Sequence, residues 1–205
     1  MLRTETTRVP NTVEFHSDAR TARLFAEHRK LENLARNIAN AHPKVFLMGT
    51  DPVVDQLAFS MGFPPTDLVV LRLSVAGRSV TAIAVHARVW LSADAKSRAI
   101  ELKRESRRAG TTCILVPHKW LKAGVRSSVA RTISRARNVR HSRAQMNKIL
   151  EHLREARIST IAEAAGVLDD HEDPIAVVLA LASQGFVDLD RRAPLSGSTW
   201  LSTRF

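Results

Sequence analysis

The chain has 205 residues with 31 Lys or Arg against 20 Asp or Glu, which gives a formal net charge of +11. A hydrophobic content of 44% is ordinary for a folded globular protein and excludes an intrinsically disordered one. The apolar runs are too short for a transmembrane helix, and the first twenty residues lack the apolar stretch of a secretory signal. The single Cys113 excludes a disulfide scaffold and a cysteine-built zinc site. We therefore expect a cytoplasmic protein, and its charge favours an anionic partner, most often nucleic acid.

The first part of the chain predicts alternating helices and strands. Residues 1–17 show no periodicity and are expected to form a flexible arm or an early strand. Apolar residues then recur at helical spacing from 18 to 40, and Pro43 follows the end of that helix. The next segments are predicted as a strand at 44–48, a helix at 53–61, strands at 68–75 and 79–90, a helix at 93–109 and a strand at 111–116. This order predicts an α/β domain over 18–120, with helices flanking a mixed sheet.

The second part of the chain predicts a basic helical linker over 121–140 and a separate domain over 141–205. That domain has predicted helices at 141–154, 159–165 and 175–184, followed by a hairpin of strands 186–190 and 199–203. Three helices and a hairpin are the pattern of a winged-helix domain. A winged helix usually reads DNA with its third helix, but this third helix has no Lys or Arg and begins beside acidic residues. Its sequence favours a buried or protein-docking helix instead.

The positive charge is concentrated in the middle of the chain. Residues 96–143 contain fourteen Lys or Arg and only two acids, whereas residues 151–190 contain nine acids and two arginines. Arginine suits phosphate oxygens because its planar fork donates two parallel hydrogen bonds. We therefore expect the 96–143 stretch to form one continuous DNA-binding surface, and the acidic domain to dock a protein partner. The predicted DNA contacts are Arg104, Arg107, Arg108, Lys119, Lys122, Arg126, Arg131, Arg135, Arg137 and Arg140.

Most catalytic and cofactor motifs are missing from the sequence. The eight histidines show no metal-ligand spacing, and no GxSxG, GxGxxG or GxxxxGK[ST] motif is present, so no cofactor is predicted from them. One constellation remains. Asp51 and Asp55 lie on a predicted helix, Asp67 precedes the first strand of the hairpin, and His86 and Arg88 end the second. Magnesium-dependent nucleases need such carboxylates, with a lysine that orients or activates the attacking water.

Two stretches carry a resemblance to a known family. PTDLVVLRLSVAGRSVTAIAVHAR resembles the aspartate strand, turn and (E/Q)xK strand of the TnsA-like transposon endonucleases. AVVLALASQGFVDLDRRAPLSGSTWLS resembles the third helix and the proline-containing wing of the same family. The resemblance covers about residues 45–205. It implies an α/β (α+β) protein, in which a restriction-endonuclease-like mixed sheet flanked by helices precedes a winged-helix domain.

The departures from the family pattern predict a lost activity. The helix carboxylate would be Asp51 or Asp55, the strand aspartate Asp67, while His86 replaces the family's Glu/Gln and Arg88 its lysine. An arginine stays protonated and cannot act as a base, and histidine is a poor magnesium ligand. We expect no metal site and a DNA-binding protein with a degenerate, non-cleaving nuclease domain. Its role would be in transcription or genome regulation, or in a mobile element, at the nucleoid.

Three alternatives stay open at this point. The first is an active Mg²⁺-dependent endonuclease that works with a transposase partner. The second is a protein-interaction adaptor whose basic stretch meets an acidic protein. The third is that the nucleic acid is RNA, since charge alone does not distinguish it from DNA. A homodimer would suit recognition of a palindrome.

Overall fold

The computed structural model describes residues 12–203, and their side chains from residue 19 onward. The N-terminal part has a four-stranded sheet in the order β1-β2-β3-β4, in which β1, β2 and β3 are antiparallel neighbours and β4 is parallel to β3. The mixed α/β fold predicted from the sequence is confirmed. Its elements are α1 (Thr12–Asn40), β1 (Val45–Gly49), α2 (Pro52–Ser60), β2 (Leu68–Val75), β3 (Arg78–Val85), α3 (Ala87–Leu91), α4 (Ala93–Arg108), β4 (Cys113–Pro117) and α5 (His118–Lys122).

Helices cover both faces of this sheet. Successive side chains of a strand point to opposite faces, so each strand contributes to two apolar layers. Ile83 packs with Leu102 of α4 in a layer that also contains α2. Leu71 and Ala84 pack with Leu31 of α1 in the other layer, which also receives α5. The helices α4 and α1 therefore lie on opposite sides of the sheet.

Strand β3 ends earlier than the sequence predicts. The strand predicted at 79–90 stops at Val85, and the residues after His86 form the short helix α3. Val85 pairs with the first residue of β2, Leu68, and with the last residue of β4, Pro117. A longer β3 would have no strand on either side to satisfy its backbone groups, so the chain turns into a helix.

The N-terminal helix is longer than predicted. Helix α1 begins at Thr12, so residues 12–17 belong to it rather than to a flexible arm, and residues 1–11 of the predicted arm lie outside the described residues. Among the helices of the described residues, none has the length and apolarity needed to cross a membrane.

The C-terminal part combines four helices with a small antiparallel sheet. The three strands have the order β5-β7-β6, and the predicted pairing of the last two strands is observed. β5 has only three residues and was not predicted from the sequence. The winged-helix assignment stays a prediction. The elements are α6 (Arg126–Ala136), α7 (Arg143–Ala156), β5 (Ile158–Thr160), α8 (Ile161–Gly166), α9 (Pro174–Gln184), β6 (Val187–Leu189) and β7 (Trp200–Thr203).

Helix α9 is enclosed by its neighbours. Every residue from Val177 to Ser183 is buried, and α9 packs against α6 and α8. Asp173 caps its N-terminus by accepting a hydrogen bond from the backbone N–H of Ala176 at 3.0 Å. This burial agrees with the apolar sequence of the helix and leaves only its ends exposed, at Ile175 and Gln184.

Helix α6 is part of the C-terminal core rather than a free linker. Its buried side chains Val129, Ile133 and Ala136 join a cluster that includes Leu181 of α9. The same helix packs against α1, and Ile38 of α1 contacts the apolar clusters of both parts of the chain. The predicted linker 121–140 is thus a packed segment that joins the two halves.

Two arginines from distant parts of the chain cap the C-terminal end of α1. Arg137 donates from Nη1 to the carbonyl of Asn40, and Arg191 donates from Nη1 to the carbonyl of Ala41, both at 2.8 Å. The guanidinium of Arg137 also lies 5.8 Å from the centroid of the Phe46 ring. The last carbonyls of a helix have no partner within it and carry partial negative charge, so these cations stabilise the junction between the two halves.

We expect Arg137→Met to lower the free energy of unfolding by about 1 to 2 kcal/mol, because it keeps most of the apolar stem and removes the charged donor. The measurement is urea unfolding followed by circular dichroism. The control is Arg140→Met, since Arg140 is exposed and its side chain caps none of the helices that the structure describes. Equal losses for the two variants would contradict a capping role for Arg137.

Candidate nucleic-acid interface

A large cleft lies between α1, α5 and α6, with a volume of about 1230 Å³. Its polar lining is strongly basic, and among the described residues only one acid, Glu27, contributes to it. His86 and His118 lie at the same cleft. The exposed cations that line it are Lys30, Lys119, Lys122, Arg131 and Arg135.

Helix periodicity brings these cations together. Ser127, Arg131 and Arg135 are spaced by four residues on α6, on a face away from the buried Ile133. Lys119 and Lys122 lie on α5, which leaves β4 and packs against both α1 and α6. The cleft therefore depends on α6 keeping its apolar side in the C-terminal core.

The predicted DNA-binding residues do not share one surface. Four of the ten line the cleft, and all four lie on α5 or α6. Three others lie on α4, on the opposite side of the sheet, where Arg104 and Arg108 pair with Glu101 and Glu105 of the same helix. The expectation of one continuous positive surface over 96–143 is therefore wrong, because residues close in sequence fall on the two faces of a sheet.

The remaining three predicted contacts lie outside the cleft. Arg126 lies over the ring of Trp120, 4.2 Å from its centroid, and donates to the carbonyl of the same residue. Arg137 caps α1, as described above. Arg140 is exposed in the segment between α6 and α7, and its carbonyl lies 3.2 Å from Nε2 of His171.

Asp67 and Arg88 form an ion pair close to this cleft. Nε of Arg88 lies 2.5 Å from Oδ1 of Asp67, whose side chain is only 15% exposed. Nη2 of Arg88 donates to both the carbonyl and the hydroxyl of Thr66 at 2.8 Å. The structure thus brings the predicted Asp67, His86 and Arg88 together, because the backbone N–H of His86 also donates to the carbonyl of Asp67 at 2.9 Å.

Glu27 of α1 completes this group. Its Oε2 lies 3.6 Å from Nε2 of His86 and 3.8 Å from Nη1 of Arg88. The ring centroids of His86 and His118 are 5.3 Å apart. Glu27 and His118 were not predicted as site residues, and Lys30 was not predicted as a DNA contact. Only the packing of α1 and α5 beside the end of β3 places them there, and no local motif signals it.

The two helix carboxylates considered in the sequence lie outside this group. Asp51 is buried, caps α2 through the backbone N–H groups of Val53 and Val54, and accepts a hydrogen bond from Oγ1 of Thr81 at 2.6 Å. Asp55 is exposed and lines a separate cavity of about 330 Å³. Although Asp55 is exposed, partial desolvation beside this cavity raises its pKa, and the nearby charge of Asp51 raises the pKa further.

The residues present do not fit the magnesium ion that the family resemblance implies. The guanidinium of Arg88 contacts Asp67 at one end and approaches Glu27 at the other, so a fixed cation already lies between the two carboxylates. Magnesium needs several oxygen ligands in nearly octahedral geometry. Within residues 12–203, no group of three or more His, Cys, Asp or Glu is arranged to hold a metal ion.

Comparison with protein-family models and with curated protein sequences gives no match for this chain. The resemblance to the TnsA-like endonucleases therefore rests on the residues quoted above and on their layout.

Several acids of the 151–190 segment have local structural partners. Glu163 accepts from the backbone N–H of Thr160 at 2.8 Å and completes a capping box at the start of α8. Asp173 caps α9, and Asp170 lies 4.0 Å from Nζ of Lys148. Helix capping thus accounts for two of these nine acids, and protein docking on this segment stays a prediction.

We expect Asp51→Ala to lower the free energy of unfolding by about 2 to 3 kcal/mol, because it removes a helix cap and leaves the buried Thr81 hydroxyl without its acceptor. Asp55→Ala, on the same helix, is the matched control and should change stability by less than about 0.5 kcal/mol, since Asp55 is exposed. Chemical denaturation measures both. A stable Asp51→Ala protein would contradict this structural role.

Both cleft histidines should be neutral at neutral pH. Burial lowers the pKa of His86 and of His118 below 6.5, and the charge of Arg88 or Lys122 lowers it further. As the pH falls below that ordinary value, the unfolded chain binds protons first, so the free energy of unfolding should decrease. Titration of the imidazole C–H resonances by NMR tests this prediction. Titration of either ring at or above the ordinary value would contradict it.

Proposed function

We propose that this protein binds DNA through the cleft between α1, α5 and α6 and does not cleave it. One observation carries the proposal: five exposed cations from three helices converge on one cleft that contains a single acid among the described residues. A groove lined by cations from several helices suits a chain of phosphates, because each contact releases a condensed counterion. On this proposal the helix α4 does not contact DNA, although its sequence is also rich in Lys and Arg.

The ion pair of Arg88 supports the non-cleaving part of the proposal. A nuclease would need Asp67 as a metal ligand, but here the guanidinium of Arg88 pairs with Asp67 and also lies 3.8 Å from Glu27. Arg88 cannot release its proton to activate water. A non-cleaving DNA-binding protein of this kind fits regulation of transcription or of a mobile element, and it would act at the nucleoid.

Salt dependence gives a quantitative test of the cleft. If each of the five cations neutralises one phosphate, the slope of log K against log salt should be about −4 to −5 for duplex DNA. The variant Lys119→Gln/Arg131→Gln/Arg135→Gln should reduce the slope to about −2 and weaken binding by at least about 100-fold at low salt. Fluorescence anisotropy with a labelled duplex over a range of salt concentrations measures both quantities.

The matched control is Arg104→Gln/Arg107→Gln/Arg108→Gln on α4. It removes the same number of positive charges, three, so any loss of affinity that depends on net charge alone would be equal in the two triple variants. We expect less than about a threefold loss and an unchanged slope for the α4 variant. Equal losses would contradict the cleft as the binding site. Preference for single-stranded RNA over duplex DNA would contradict the choice of nucleic acid.

We also expect no strand cleavage by the purified protein. Supercoiled plasmid incubated with Mg²⁺ or Mn²⁺ should stay intact, because Arg88 already pairs with Asp67, the carboxylate that a metal ion would need. Gel electrophoresis measures nicking. Nicking that Asp67→Ala abolishes would establish the endonuclease alternative and contradict this proposal.

A further inference from the structure

The acid in the cleft has an unusual set of neighbours. Oε2 of Glu27 lies within 3.6 Å of Nε2 of His86 and 3.8 Å of Nη1 of Arg88, both beyond ordinary hydrogen-bond distance. Nη1 of Arg88 is buried and has no hydrogen-bond acceptor among the described residues. A guanidinium N–H that is buried without an acceptor is costly, so an oxygen at this position would stabilise the site.

The donors at this end of the cleft suit a tetrahedral oxyanion better than a carboxylate. Nε2 of His86 and Nη1 of Arg88 both lie within 3.8 Å of the same Glu27 oxygen, and the ring centroid of His118 lies 5.3 Å from that of His86. A carboxylate offers two oxygens in one plane, whereas a phosphate offers oxygens in several directions. Glu27 therefore leaves part of the donor set unused, and a phosphate group could contact all of it.

Among the described residues, the one hydrogen bond to the Glu27 carboxylate comes from the solvent side, whereas His86 and Arg88 lie beyond hydrogen-bond distance. Its side chain is 33% exposed, and Nε of Arg23, an 81% exposed residue, lies 3.2 Å from Oε1. The hydrogen bond from Arg23 is the main cause that lowers the pKa of Glu27, so the carboxylate is ionised at neutral pH. Exposed ion pairs contribute little to stability, and a rotamer change would carry this carboxylate out of the cleft at small cost.

We infer that the inner end of the cleft is a phosphate subsite formed by His86, Arg88 and His118, and that the carboxylate of Glu27 occupies it in the absence of nucleic acid. The inference deepens the proposed DNA-binding function and rests on it. The ligand is one phosphate group of the nucleic acid, and Glu27 competes with it. In the absence of nucleic acid, this carboxylate therefore limits the affinity for DNA.

Glu27→Gln tests the competition directly. We expect this variant to bind duplex DNA about five- to tenfold more tightly, because it removes a like charge from the phosphate position. The matched control is Glu32→Gln. Glu32 lies on the same helix with 32% of its side chain exposed and pairs with Arg36 four residues away, as Glu27 pairs with Arg23, but it does not line the cleft. It should change affinity by less than about twofold.

Binding of inorganic phosphate provides a readout that does not depend on DNA. Addition of phosphate to Glu27→Gln should shift the NMR resonances of the His86 and His118 rings at lower concentrations than in the wild type. His118→Gln in the Glu27→Gln background should reverse the gain in both phosphate and DNA affinity.

Because bound phosphate favours protonated rings, binding should also strengthen as the pH falls. The charged or titratable groups around these rings are Glu27, Asp67, Arg88 and Lys122.

The outcomes separate this inference from the function on which it rests. Equal effects of Glu27→Gln and Glu32→Gln, or no movement of the histidine resonances with phosphate, would overturn the subsite. The cleft would still stand as the DNA-binding surface if the α5–α6 triple variant loses binding and the α4 variant does not. Duplexes with and without a 5′-phosphate identify the source: an equal gain for both indicates an internal phosphodiester, and a gain for the phosphorylated duplex alone indicates a strand end.

Discussion

The packing of α6 determines where the basic cleft of this protein lies. One side of this helix belongs to the C-terminal core and the other side lines the cleft beside α1. Val129 and Ile133 belong to the C-terminal core, so the helix must turn Arg131 and Arg135 towards α1. The guanidinium of Arg137 then fixes the end of α1 against the end of α6. The cleft exists because these contacts hold the two halves of the chain together, and its charge follows from the polar side of one amphipathic helix.

The ion pair between Arg88 and Asp67 determines which ligands the inner end of the cleft can accept. An arginine between Asp67 and Glu27 stabilises two carboxylates that would otherwise repel each other, which is the role a metal ion would have in a nuclease. With Arg88 paired to Asp67, the proposed function leaves this region without the free carboxylates that a catalytic metal ion would need. Binding of phosphate remains compatible with this arrangement, since the nearby cations and imidazoles are still accessible from the cleft.

Sequence patterns predicted the elements of this fold better than its surface. The hairpin of β2 and β3, the helix α4 and the apolar α9 follow from local periodicity and turn residues. The premature end of β3 and the strand β5 do not, because both depend on which distant strands are available for pairing. The sequence also did not show that the sheet divides the basic stretch, because α4 packs on one face of the sheet and α5 on the other. Asp67, His86 and Arg88 were predicted together and do meet, whereas Glu27 joins them only through the packing of α1.

The most direct test of the central claim is lysine acetylation footprinting with and without DNA, quantified by mass spectrometry. The cleft contains Lys30, Lys119 and Lys122, whereas Lys96 and Lys103 are exposed on α4 across the sheet. If phosphates bind in the cleft, DNA should protect the first three lysines by about fivefold or more and leave the two α4 lysines unchanged. Protection of Lys96 and Lys103 with none in the cleft would contradict the account.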